Sequence, residues 1–246
     1  MLCTHCESPN IRPLKRPTSL GYLCFQCREC SKTFNERTDT PFNFLEFPTD
    51  IVMLVVTWRL RYKLSLRDLT DGSPTEMFLC RGLVFTHEAV RDWEARFASM
   101  LTQELRRRRK DSVGESWYVD EMYIKVSGKW CYLYRAIDRD RNLVDCRFSE
   151  KRDMDAAKAF FHEVLKVTGV RPDRVTTDGY ESYSRAIKSR YKPMRGFQTT
   201  ESADRFCRAF DELRNFLKAD TRTNKLSLAE KRQHHQLQTQ RIASWF

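Results

Sequence analysis

The 246-residue chain has no run approaching the ~20 consecutive apolar residues that cross a bilayer, which excludes a transmembrane anchor. Its first residues read "MLCTHC" where a secreted precursor carries an apolar core, so a cytoplasmic protein is expected. Acidic residues are in deficit. The 33 Asp and Glu stand against 44 Lys and Arg, and the resulting net charge of +11 favours a polyanionic partner. The excess is neutral over residues 1–50 and densest over 51–110. Cysteine is sparse beyond the N-terminal region: five of the nine fall within the first thirty residues, and a chain this long is not a disulfide scaffold. The length accommodates one medium domain with one or two small ones.

The cysteines that are present have a pattern. In "CTHCESPNIRPLKRPTSLGYLCFQCREC", Cys3 and Cys6 form one knuckle and Cys27 and Cys30 repeat it twenty residues later. Four thiolates so spaced across a short β-hairpin suit a tetrahedral zinc ion without a large apolar core. Cys24 stands three before Cys27 and His5 is a further candidate ligand; the 27/30 pair is preferred because "CRECSKTFN" continues into an aromatic-bearing strand. Cys80, Cys131, Cys146 and Cys207 lie in apolar or mixed runs and are expected as core thiols.

From residue 49, Ile51, Leu54, Val55, Trp58 and Tyr62 recur at helical spacing after a Thr49 or Asp50 cap. A short helix can begin at Ser65. Beyond "DGSP", Thr86 can cap a helix with Val90, Trp93, Phe97, Met100 and Leu101 on its inner face. This order fits either a helix-turn-helix or an ordinary helical connector. As a helix-turn-helix it would bring Thr86, His87, Glu88 and Arg91 near base edges. "RRRRK" at 106–110 reads as a solvated basic linker, with Arg106 and Arg107 as candidate phosphate contacts.

Three extended segments follow, "WYVDEMYIKV", "KWCYLYRAID" and "LVDCRFS", joined by turn chemistry, so an antiparallel meander is expected. Strand alternation puts Asp120 on the same face as Met122, Ile124 and Val126. A carboxylate on a buried face costs several kcal/mol unless something pairs with it. The helix "DMDAAKAFFHEVLKVTG" and the strand "RVTTD" come next, and Asp178 ends that strand before a glycine. A later helix carries Phe206, Phe210, Leu213 and Leu217 as its stripe, with Glu212 at the margin. Asp120, Asp178 and Glu212 can therefore converge. "SRAIKSRYKPMRGF" holds five cations and no acid, with Lys188 and Lys192 as candidate DNA contacts. "KRQHHQLQTQRI" is expected as a polar helix, whose adjacent His234 and His235 do not share a face.

At these residues the chain resembles the DDE transposases of bacterial insertion sequences, specifically the IS-six family. "YVDEMYIKVSGKWCYLYRAID" is similar to that family's first-Asp strand and hairpin, "VTTDGYESY" to its second-Asp motif, and "CRAFDELRNFL" falls where its Glu belongs. "LSLRDL" and "RGLVFTHEAVRDW" resemble its helix-turn-helix, apart from an apparent insertion, "DGSPT". The resemblance implies an α/β protein with a zinc ribbon at 1–44, a helix-turn-helix and basic linker at 45–110, and a ribonuclease H-like catalytic core, a mixed sheet with flanking helices, at 111–246. It implies two Mg²⁺ or Mn²⁺ ions on Asp120, Asp178 and Glu212, and a structural Zn²⁺ on the four cysteines. The partners it implies are DNA, as terminal inverted repeats and target, and a second copy of the chain, in a nucleoid-associated setting. A DNA-binding regulator with an inactive core, and a nuclease of the same fold without strand transfer, are the competing readings.

Overall fold

The computed structural model describes residues 1–62, 64–71, 73–109, 113–177, 187, 189, 196–218 and 227–245. The chain divides into two compact units, Met1–Met53 and Leu54–Trp245.

The first unit is a three-stranded antiparallel sheet in the order β1 (Ile11–Pro13), β2 (Cys24–Cys27), β3 (Thr33–Asn35). Its core is small: Cys3, Cys27 and Phe34 are buried, with Ile11, Phe25 and Cys30 packed against them. Arg37, itself buried, organises the stretch after the sheet by donating Nε to the Phe42 carbonyl at 2.7 Å and Nη2 to that of Leu45 at 2.8 Å. Its guanidinium lies 4.9 Å from the Tyr22 ring centroid. Helix α1 (Thr49–Arg61) begins at Thr49 and spans the boundary between the units.

In the second unit, α2 (Asp68–Asp71) and α3 (Ser73–Leu79) are short, and α4 (His87–Arg107) is long. An aromatic row joins α1, α3 and α4: Trp58, Phe78, Phe85 and Trp93 have successive ring centroids 5.6, 5.2 and 5.2 Å apart. Thr86 caps α4 by accepting the Ala89 N–H, and Val90, Trp93, Phe97 and Leu101 are buried as their spacing predicts. Burial continues in the same helical phase through Glu94, Ala98, Thr102 and Leu105.

The sheet has the order β6-β5-β4-β7, from β4 (Ser116–Val126), β5 (Lys129–Asp138), β6 (Leu143–Ser149) and β7 (Arg174–Thr177). The first three make the expected meander, and β7 returns parallel to β4. Ser127 and Gly128 both have positive φ, 45° and 84°, which is the tight hairpin geometry that matches strand twist. The parallel return needs a crossover, supplied by α5 (Met154–Thr168), with Asp153 as N-cap and Gly169 as left-handed C-cap. On one sheet face α5 packs Ala156, Phe160 and Val164 against Trp117, Tyr134, Ala136 and Val144. Trp117 shares its side of β4 with Glu121 and Lys125, yet it is 1% exposed, because α5 covers that side at this end of the strand. The other face meets α6 (Thr200–Leu217), which also packs along α4, while α7 (Leu228–Ala243) opens with a Ser227/Glu230 capping box.

The indole of Trp117 donates to the Gly114 carbonyl at 2.6 Å as well as filling the α5 interface. Trp117→Ala is expected to cost about 3–5 kcal/mol of stability, seen as a lowered urea midpoint, whereas Trp117→Phe keeps most of it. An unchanged midpoint in the alanine variant would contradict this account of the core.

Candidate active site

Asp120 is half-buried in the middle of β4, on the face whose next members, Met122, Ile124 and Val126, are each no more than 4% exposed. The alternation read from the sequence therefore holds on this face. Directly across the antiparallel pair stands Arg135 of β5, whose Nη1 reaches Asp211 of α6 at 3.1 Å. Opposite residues of an antiparallel pair share a face, so Asp120 lies on the side that α6 covers. On its other edge β4 runs parallel with β7, and the register ends with Val119 opposite Thr177. Asp178, the next residue of the chain, lies outside the described residues, as do Lys188 and Lys192.

Glu212 sits on α6 and is 1% exposed. Arg106 donates Nε to its Oε1 at 2.8 Å, and Arg109 donates Nε to Oε2 at 3.1 Å and Nη2 to Oε1. Arg106 also pairs through Nη2 with the buried Asp145, and Arg109 reaches the Val144 carbonyl at 2.9 Å. Both carboxylate oxygens thus meet guanidinium groups of α4 and the residues just after it. Burial disfavours charge on Arg106, but Asp145 and Glu212 outweigh it and hold the guanidinium more firmly protonated than usual. Burial pushes the Asp145 and Asp211 carboxyls above the ordinary range, opposed by Arg106 and Arg135 respectively.

The basic run is accordingly not a uniform solvated linker. Arg106 and Arg109 turn inward onto Glu212, whereas Arg107 and Arg108 pair with Glu104 at the surface. Arg106 is committed to two buried acids, a different situation from the phosphate contact expected of it; Arg107, with its side chain 69% exposed, remains at the surface. Sequence reasoning missed Asp145, Asp211, Arg109 and Arg135. The signal for the arginine was the phase of α4: Arg106 continues the row Glu94, Ala98, Thr102, and Arg109 the row Leu101, Leu105.

Near the start of α4 an open groove of about 930 Å³ is lined by residues including Arg67, His87, Arg91, Ser202 and Arg205. His87 Nε2 contacts Glu88 at 2.6 Å, Arg91 is 4.0 Å from the same carboxylate, and the Thr86 hydroxyl is taken by its cap.

In the first unit, Cys3, Cys6, Cys27 and Cys30 bring their Sγ atoms within 4.8 Å of one another, with 3.7 Å between Cys3 and Cys30 and 3.5 Å between Cys6 and Cys27. Four sulfurs at about 2.3 Å from one tetrahedral ion stand roughly 3.8 Å apart, so this set fits a metal. It is Cys27 and Cys30 that gather with Cys3 and Cys6, whereas Cys24 Sγ points to the Tyr22 carbonyl at 3.9 Å, and His5 supplies a backbone N–H to Cys3 Sγ, not its ring. Backbone N–H groups of Cys30 and Glu29 lower the Cys27 thiol to about 7 despite its partial desolvation.

A family model described as a DDE domain matches residues 114–192, the stretch that contains the meander, α5, β7 and both Asp120 and Asp178. The transposase for insertion sequence element IS257 in transposon Tn4003, from Staphylococcus aureus, is 36% identical over 137 residues, covering 56% of this chain and 58% of that protein. Residues 114–192 thus match a DDE domain, and the chain is similar to transposases of insertion sequences. The transposase for insertion sequence-like element IS431mec of S. aureus strain Mu50 matches over the same shares at the same identity. An uncharacterized protein, pYV0051, of Yersinia pseudotuberculosis serotype I is 46% identical over 74 residues, 29% of this chain and 69% of that one. The chain spans 58% of the length of the transposases it matches. No solved structure matches it. The mixed sheet and its flanking helices fit the ribonuclease H-like core that the family implies. Among the described residues, no helix is long and apolar enough to cross a membrane.

Glu212→Ala strands two part-buried guanidinium groups and is expected to lower stability by about 3–5 kcal/mol in urea denaturation. Arg107→Ala, at the exposed edge of the same run, is expected to change it by less than about 0.5 kcal/mol. Equal effects from the two variants would sink the distinction between inward and outward arginines.

Proposed function

We propose that the chain binds insertion-sequence ends and carries out metal-dependent DNA strand cleavage and strand transfer. The observation that carries this reading is the parallel register of β7 on β4, which ends at Val119 opposite Thr177. Asp120 follows Val119 in β4 and Asp178 follows Thr177 in the sequence, both inside the segment that the DDE domain model matches.

Asp120 and Asp178 are the groups that would hold Mg²⁺ or Mn²⁺. Carboxylate oxygens are hard donors suited to these ions. When bound, two such ions supply charge stabilisation on the attacking and leaving oxygens of an in-line displacement at phosphorus. In the reaction read from the family, water cleaves the phosphodiester at the element's end and releases a 3′-hydroxyl. That hydroxyl then attacks a target phosphodiester, forming one P–O bond for each one broken, with no covalent enzyme intermediate. For Glu212 we favour a structural role over the metal-ligand role expected from the sequence, because its two oxygens are held by Arg106 and Arg109. The exposed groups at the start of α4, His87 and Arg91, together with Arg107, serve as DNA contacts in this reading, while Thr86 serves as the helix cap. Joining two DNA ends calls for at least a dimer.

The decisive experiment is a cellular transposition assay with the element's own ends, comparing wild type, Asp120→Ala and Glu212→Gln. Loss of donor–target fusion in Asp120→Ala with end binding retained, and fusion within about tenfold of wild type in Glu212→Gln, is the expected result. End binding without fusion in all three proteins would favour a DNA-binding regulator. Loss of fusion in Glu212→Gln at unchanged stability would return that residue to the metal site.

Cys3, Cys6, Cys27 and Cys30 are proposed to hold a structural Zn²⁺, since their donor set and spacing suit it. One zinc per chain is expected by plasma emission, falling to background in Cys27→Ser. Four freely titrating thiols in the zinc-supplemented wild type would rule the site out.

A further inference from the structure

The cluster under α5 reaches Tyr132 and ends there, leaving the tip of the β4–β5 hairpin open on that face. Tyr123 pairs across the strands with Tyr132, and Lys125 with Trp130. Trp130 is 56% exposed and Tyr123 38%. The rings form a ladder of edge contacts: Tyr123 and Tyr132 centroids are 5.3 Å apart at 66°, and Tyr123 and Trp130 are 6.4 Å apart at 88°. Cations flank it. The Arg152 guanidinium carbon lies 5.5 Å from the Tyr123 centroid, and Lys125 Nζ lies 5.7 Å from that of Trp130. Glu121, on this face beside the ladder, pairs with Arg152 at 2.6 Å.

We propose that this ladder is a stacking platform for unpaired bases of single-stranded DNA. Tyr123 is three residues from Asp120, so it points to the opposite sheet face about 10 Å further along the strand, and the platform is separate from the candidate metal site. The exposed apolar groups of the hairpin are both aromatic, and every base presents a face that an aromatic ring can stack on. Lys125 flanks the exposed indole and supplies charge for an adjoining phosphate. Two exposed rings fall far short of the roughly 800 Å² per partner that a stable protein interface buries, which argues against a protein occupant.

The test uses the full chain and fluorescence anisotropy with a labelled 20-nucleotide oligo-dT and a blunt 20-base-pair duplex at one salt concentration. Trp130→Ala is expected to weaken oligo-dT binding about tenfold and leave the duplex within twofold, while Trp130→Phe restores most of the loss. Asp120→Ala, which removes strand chemistry in the reading above, is expected to bind oligo-dT as wild type does. Because no strand chemistry is read out, the two proposals fail independently. Unchanged oligo-dT affinity in Trp130→Ala, an equal loss on both DNAs, or a loss that Trp130→Phe does not restore would each overturn the platform. A shift in oligomeric state in Trp130→Ala without any change in oligo-dT affinity would reassign the hairpin to a protein interface.

Discussion

Glu212 lies almost wholly out of water, and two guanidinium groups keep a charge tolerable there. Taking a carboxylate from water into protein costs several kcal/mol, so the arrangement persists only while both partners stay in place. Arg106 and Arg109 are at and just beyond the last turn of α4, Glu212 is on α6, and Asp145 is on β6. One ionic cluster therefore fastens the end of a long helix, a second helix and an outer strand of the sheet. Arg135 and Asp211 repeat the device one strand nearer to Asp120. The α6 side of the sheet is fixed by ion pairs as well as by the stacked rings of Phe206 and Phe210.

Much of this was legible in residue order. The alternation of β4, the turn at Ser127–Gly128, the caps at Thr86 and Gly169 and the two cysteine knuckles all depend on neighbours within a few positions, and the structure contains each. The burial of Trp117 was not legible, because it is decided by α5, which follows two strands later. The inward turn of Arg106 and Arg109 was hidden for another reason. Five successive cations look alike, and only the phase of the preceding helix separates those that continue its buried rows from those that do not. For Glu212 the sequence indicated a margin of the packed stripe; that its neighbours would be arginines required the third dimension.

The two sheets differ in how they are held. In the larger unit, α5 and α6 supply aromatic and aliphatic cover on the two faces of a four-stranded sheet. The three-stranded sheet of the first unit buries little beyond Cys3, Cys27 and Phe34, and two of those three are also members of the thiol cluster. Its apolar core and its thiol cluster are built from the same side chains. A substitution at Cys27 would remove both at once.

The parallel pairing of β7 with β4 also bears on how the chain reaches this form. The meander closes through neighbouring hairpins, contacts that are local in the chain, whereas Ser116 meets Arg174 only after two further strands and a helix have been made. Distant pairings pay their loop-closure entropy before they gain anything, so they form slowly. During synthesis on the ribosome, β4 therefore spends an interval with its β7 edge unsatisfied. The strand that carries Asp120 is thus, for that interval, an edge of the nascent sheet open to wrong partners.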